Sequence, residues 1–373
     1  MPATVYFADM RSTSPKTSTV GKIERLLAEL GVGTAVRKGD LTAIKVHFGE
    51  LGNDAYVSPV FARKAADAVR AAGGRPFFSD TNTLYSGSRS NGPVHLETAI
   101  AHGFDFSVCG APIVIADGMK SADWREVAIG RKWFERVKIA SAFLDADSMV
   151  VVSHFKGHEM AGFGGAIKNL AMGCAPAAGK RDQHSCKFFV KEAKCVGCGL
   201  CVEVCPVGAP VLSGPKGPGA KASIDREKCI GCGECALRCA PKAITMDWKV
   251  EIAEFTEKMT EYALGAVKGK EGRVLYLNFV RDVVPECDCA PWSDAPLVAD
   301  IGILASTDPV AIDQAAYDLV KAAPVAAGSA IEGKAGAGDD KFAAVHPETR
   351  GLVQLEYGAA IGLGSREYTL VGI

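Results

Sequence analysis

The chain has 373 residues, of which 48% are hydrophobic and 23% charged, a balance that excludes a disordered or fibrous polypeptide. At about 100 to 200 residues per domain, this length predicts two or more domains. A formal net charge of -1 provides no global field to draw the molecule to nucleic acid or to an anionic membrane, so neither is expected as a partner.

Short apolar runs alternate with amphipathic segments from the start, the rhythm of βαβ units, and predict an α/β fold with a largely parallel sheet. Thr4 to Ala8 reads as a strand, Val20 to Leu30 as a helix, Ala43 to Phe48 as a strand, and Pro59 to Ala72 as a helix stopped by Gly73 and Gly74. Strands follow at Pro76 to Ser79, Pro112 to Ala116, Val127 to Ile129 and Val137 to Ala140. Ser148 to Ser153 is the strongest strand signal and runs straight into His154-Phe155-Lys156-Gly157-His158. That polar group therefore falls at a strand's carboxyl end, where open α/β sheets place ligand crevices.

Residues 187–246 interrupt the rhythm with cysteine, glycine and proline. Beyond them Val250 to Val267 reads as a helix, Arg273 to Phe279 and Val298 to Leu304 as strands, and Pro309 to Val320 as a helix begun by Asp308 or Thr307. The organisation predicted is an α/β body in two parts, 1–186 and 247–373, with a bacterial-type two-cluster ferredoxin domain inserted at 187–246. Residues 1–30 lack the apolar core of a signal peptide, and no run of about eighteen apolar residues occurs, so a cytoplasmic location is expected.

Eight of the thirteen cysteines lie in the insert. The motif Cys195-x2-Cys198-x2-Cys201-x3-Cys205-Pro206 recurs as Cys229-x2-Cys232-x2-Cys235-x3-Cys239. Three thiolates so spaced in a turning loop wrap one [4Fe-4S] cluster, while the fourth reaches the neighbouring one. The ligand sets predicted are Cys195, Cys198, Cys201 and Cys239 for one cluster, and Cys229, Cys232, Cys235 and Cys205 for the other. Structural zinc sites pair C-x2-4-C units instead, a pattern these motifs do not follow.

In the body, Gly162, Gly164 and Gly165 precede an amphipathic run and predict a helix whose first N–H groups suit a small anionic ligand, or else a tight strand-to-helix packing. Lys168 follows one turn in, and burial beside a cofactor would lower its pKa and make it nucleophilic. His154, His158, Cys174 and His184 form a possible N/S set for a further metal. Cys287 and Cys289 cannot easily chelate one ion together, but either could complete a site built by His154 or Cys174. His47 and Asp80 follow strands that could bring them to the same crevice, whereas His95, His102 and His346 read as structural.

The segments Val46-His47-Phe48-Gly49-Glu50, Ser79-Asp80-Thr81-Asn82-Thr83-Leu84-Tyr85, Ser153 to Leu170, and Pro285-Glu286-Cys287-Asp288-Cys289 together resemble the uncharacterised "Fe-S centre" proteins of the domain-of-unknown-function 362 family. The likeness covers nearly the whole chain and implies a ferredoxin module joined to a body of unassigned chemistry. The order His158, Gly162-Phe163-Gly164-Gly165, Lys168 and His184 is similar, over this stretch alone, to the active-site segment of nickel-pincer lactate racemases. That resemblance implies Lys168 as cofactor anchor, His184 as metal ligand and His158 as proton-transfer base.

The function expected is an iron-sulfur oxidoreductase whose clusters pass electrons to a small-molecule or metal site in the body, with a redox protein as partner. Two alternatives stand beside it: a ferredoxin-like carrier that docks other redox enzymes, and a metal-dependent racemase or isomerase with structural clusters.

Overall fold

The computed structural model describes residues 2–85, 87–184, 188–229, 234–246 and 248–373. They form two compact units, Met1–Lys180 with Thr256–Ile373, and Arg181–Phe255.

The first unit is built on an eight-stranded sheet. Its strands are β1 (Ala3–Asp9), β2 (Leu41–Lys45), β3 (Arg75–Asp80), β4 (Ile113–Ile115), β5 (Ser148–His154), β6 (Val274–Val280), β7 (Gly302–Ser306) and β8 (Tyr368–Gly372). They lie in the order β8-β1-β7-β6-β5-β2-β3-β4. β7 runs antiparallel to both β1 and β6, and every other neighbouring pair is parallel. β5, β6 and β7 are buried along their whole length, which explains why they read as continuous apolar runs rather than as alternation.

Alternate strand residues face opposite layers. Ile44, Phe78, Val150, Val152, Leu275, Leu277 and Ile303 pack with Ile23, Leu26 and Leu27 of α1 (Thr19–Glu29) and with Ala62, Ala65, Ala66 and Val69 of α2 (Pro59–Ala71). A further helix, α3 (Gly92–Ala101), starts at Asn91, whose side chain accepts from the Val94 N–H. The sheet's other face carries α4 (Ala166–Cys174) and α5 (Pro309–Ala322). Asp308 caps α5 by accepting from the Val310 and Ala311 N–H groups, both at 2.9 Å.

Three expectations need correction. The strand signals near 127–129 and 137–140 belong to a separate hairpin, Trp124–Ala128 with Arg136–Ala140, and add nothing to the main sheet. The strand expected from Val298 begins at Gly302, and Val298 instead makes an isolated bridge to Val325. α3 and β8 were not anticipated: the first carries no clean apolar stripe, and the second is a largely exposed edge strand.

The second unit contains two small antiparallel pairs, Phe188–Val190 with Ile244–Met246, and Pro210–Leu212 with Ala222–Ile224. Short helices follow Gly199 (Leu200–Val204) and span Glu234–Leu237. Among the described residues, no helix is long and apolar enough to cross a membrane.

Candidate functional site

Going from β2 the chain adds β3 and β4 on one side, then returns to place β5 and β6 on the other. The order thus reverses between β2 and β5, and such a switch point opens a crevice at the strands' carboxyl ends. The segments leaving β2, β3, β5 and β6 there carry Glu50, Arg89, the His154-to-His158 run and Cys287-Asp288-Cys289.

The loops that follow β5 and β6 are clamped together. Lys156–His158 pairs with Gly162–Gly164 as a hairpin, and the Gly157 N–H donates to Val284 O at 2.8 Å. A β-carbon at Gly157 would overlap the carbonyl of Pro285, so only glycine lets the 285–289 loop approach this closely. Gly157→Ala is expected to destabilise the fold by about 1–3 kcal/mol through that overlap. A thermal melt unchanged from the parent protein would contradict the clamp.

Lys168 on α4 reaches this loop and donates from Nζ to Cys287 Sγ at 3.1 Å. The Cys289 thiol hydrogen-bonds to Cys287 and, with Lys168, holds the Cys287 thiol well below its usual range despite burial; Cys289 is correspondingly pushed well above it. Burial alone would lower the Lys168 pKa, as expected from sequence, but the charge at Cys287 more than reverses the effect and raises it. Among the described residues, His158, Cys287 and Cys289 form a group whose ligand atoms lie within 4.8 Å of one another, a spacing that a metal ion could draw together.

Asp288 lies between these cysteines in sequence and is fully buried. It accepts from His154 Nδ1 at 2.6 Å and pairs with Lys156 Nζ at 3.0 Å. Burial would raise its pKa, yet the charges of Lys156 and His154 hold it well below the usual carboxylate range. His154 Nε2 lies 2.9 Å from both Arg281 O and Asp282 O, so each ring nitrogen faces an oxygen acceptor. That geometry leaves His154 no lone pair for the metal site expected of it.

Across the switch point a second buried network ties β2 to β3. Lys45 Nζ lies 3.0 Å from Asp80 Oδ1 and donates to Asn169 Oδ1 at 2.6 Å. Arg89 lies 3.6 Å from Asp80 Oδ2, donates from Nε to Glu50 Oε2 at 3.0 Å, and donates from Nη2 to the Tyr85 hydroxyl at 2.8 Å. That hydroxyl is 3.1 Å from Cys289 O, which links the network to the thiol loop. His47 accepts the Gly49 N–H at Nδ1, and burial keeps its pKa well below the ordinary value. His95, expected to be structural, lies 3.9 Å from Asp80 Oδ2 and is held neutral by burial, its pKa lowered to about 3.

The anion expected at the glycine-rich turn is one of the protein's own carboxylates. Asp313 accepts from the Ala166 N–H at 2.7 Å and the Ile167 N–H at 2.9 Å, which fills the α4 terminus that Gly165 opens. Gly162 and Gly164 belong to the hairpin strand that precedes it. Cys174, at the far end of α4, neighbours Lys45 and Asp80, and burial pushes its thiol up to about 12. His184 belongs to the second unit, where its ring lies 4.9 Å from that of Phe255.

In the second unit Cys195, Cys198, Cys201 and Cys239 line one cavity, together with Cys235, Leu200 and Ile244. Backbone N–H groups aim at sulfur: Ala222 at Cys195 (3.4 Å), Ala209 at Cys205 (3.3 Å) and Ala243 at Cys239 (3.3 Å). Gly197 turns the first loop at φ +67°, with its Cα against Gly217 O, where no side chain fits. Cys229 packs with Cys195, Cys201, Cys235 and Cys239 in the unit's apolar cluster, and none of these thiols is in a disulfide. Cys232 lies outside the described residues. A cavity ringed by free thiols with amide donors behind them suits a thiolate-ligated metal centre.

Residues 42–318 match a family described as "Domain of unknown function (DUF362)". The chain belongs to that family. No curated protein matches this DUF362 chain. The structure of the lactate racemase apoprotein from Thermoanaerobacterium thermosaccharolyticum is similar at 12% identity with a TM-score of 0.34, over 69% of this chain and 49% of that one. The DUF362 chain thus spans about half the length of that protein. At this level of superposition, neither its reaction nor its ligands carry over.

Sequence reasoning missed Lys45, Arg89 and Asn169 in the DUF362 site. For Lys45 a signal existed, a lysine inside the apolar run Ala43-Ile44-Lys45-Val46. A cation so placed must be paired once buried.

Proposed function

We propose that this chain is an iron-sulfur protein that transfers electrons through two [4Fe-4S] clusters, and that its α/β body acts on a small molecule at the β2/β5 switch point. Cys195, Cys198, Cys201 and Cys239 would hold one cluster, and Cys229, Cys232, Cys235 and Cys205 the other. The observation that carries this reading is the duplicated C-x2-C-x2-C-x3-C spacing, supported by the four first-set thiols lining a common cavity. Bound clusters of this kind supply one-electron steps at low potential. The protein's own contribution is the N–H donors behind Cys195, Cys205 and Cys239, which favour added negative charge on the sulfurs.

The small anionic ligand proposed for the body would compete with the internal anions that already pair Lys156, Lys168 and Arg89 where the loops converge. A redox protein is the partner such an electron carrier requires, and a cytoplasmic setting keeps thiolates reduced. Anaerobically purified protein is expected to yield about eight iron and eight sulfide per chain and a visible absorbance that dithionite bleaches. Stoichiometric zinc without labile sulfide would reject the clusters. Nickel or another metal bound in addition to iron would favour a metal-dependent isomerase instead.

A further inference from the structure

Cys287 and Cys289 occupy the first and third positions of a turn closed by the Ala290 N–H to Cys287 C=O bond at 2.8 Å. Their sulfurs lie within 4.8 Å of each other. The two are unequal in burial: Cys287 is buried against Lys168, whereas Cys289 is half-buried.

Two details of the same site disfavour a metal there. His158 accepts the Met160 and Ala161 N–H groups at Nδ1, at 3.0 and 2.9 Å, so the lone pair of that nitrogen is already engaged. A ligating histidine does the reverse, donating through one nitrogen and binding metal through the other. In addition, the Lys168 ammonium already stands 3.1 Å from Cys287 Sγ, in the place a cation would take.

We propose that Cys287 and Cys289 are a redox dithiol that reduces a small anionic disulfide by thiol–disulfide exchange. As Cys289 attacks one sulfur of the substrate, its proton moves to the Cys287 thiolate to which it is already hydrogen-bonded. The substrate S–S bond breaks, a mixed disulfide forms on Cys289, and the departing thiolate takes up the proton from Cys287. Cys287, its charge held by Lys168, then attacks Cys289 Sγ. The mixed disulfide breaks, and the second substrate half leaves as a thiolate. The protein loses two electrons and the substrate gains two; the single proton and single negative charge of the starting pair leave as one thiol and one thiolate. An external dithiol regenerates the pair by the same steps in reverse. The buried partner thus serves first as base and then as resolving nucleophile, a division of labour that fits the unequal exposure of the two sulfurs.

The test uses the full chain, purified anaerobically, treated with oxidised glutathione, quenched in acid, alkylated with a maleimide and digested with trypsin. Residues 282–321, flanked by Arg281 and Lys321, contain Cys287 and Cys289 and no other cysteine. This fragment is expected to lose two hydrogens and take up no maleimide. Cys287→Ser should retain one glutathione on Cys289, Cys289→Ser should retain none, and Lys168→Met should slow disulfide closure at neutral pH by at least about tenfold. Alkylation of both sulfurs in the treated parent protein would overturn the proposal, whatever the variants do. So would a stoichiometric metal that both serine variants release. Because the fragment lies outside the eight-cysteine segment, loss of iron from that segment leaves this readout intact.

Discussion

Asp80→Ala should lower folding stability by about 3–5 kcal/mol, the range for breaking a buried charge network from one side. Asp80 is buried at the end of β3 between Lys45 and Arg89, and both cations also hold site residues, Asn169 and Glu50. Removing the carboxylate leaves Lys45 buried without a counter-ion and Arg89 with Glu50 alone. Urea unfolding measures the loss. The double variant Asp80→Ala/Lys45→Met should recover part of it, because it removes the stranded cation; a cavity effect alone predicts no recovery. Burial would raise the Asp80 pKa, but Lys45 and its neighbours lower it far below the ordinary value. Its contribution is therefore present above the unfolded pKa of about 4 and is lost as pH falls toward the depressed folded value.

Asp313→Ala should cost about 3 kcal/mol at neutral pH, with the opposite pH trend. The carboxylate accepts from the Ala166 and Ile167 N–H groups and from Asn278 Nδ2 at 2.7 Å, and its loss leaves buried donors unsatisfied at about 1–3 kcal/mol each. Burial raises its pKa to about 6, so the folded state takes up a proton there before the unfolded chain does. The parent protein gains stability from this group as pH falls from about 6 toward 4, and the variant does not. The gap between them should therefore widen from pH 7 to pH 5. A gap that narrows would show Asp313 to be held ionised.

The strand–helix alternation was legible because buried parallel strands such as Ser148–His154 are uniformly apolar and helix starts such as Asp308-Pro309 carry their caps in sequence. The reversed course of Gly302–Ser306 was not, since burial dictates its composition whichever way it runs. His154 and His158 reach the carboxyl edge as read, but their partners were invisible. Asp288 and Asp313 meet residues 134 and 147 positions away, and no local pattern encodes such a meeting. Cys174 was grouped with His154, His158 and His184 by nearness in sequence. It lies six residues beyond Lys168 on the same α-helix, a turn of roughly 600°, so it leaves on a different side, toward Lys45 rather than toward the thiol loop.

The order of synthesis adds a consequence of β1's position. Both of its sheet neighbours, Gly302–Ser306 and Tyr368–Gly372, emerge from the ribosome last. At about 5–20 residues per second, the amino-terminal strand waits roughly 15–60 s with its backbone unpaired. The eight-cysteine segment closes its own strand pairs well before that, so a nascent chain completes its thiol-rich unit while the larger body still lacks an edge.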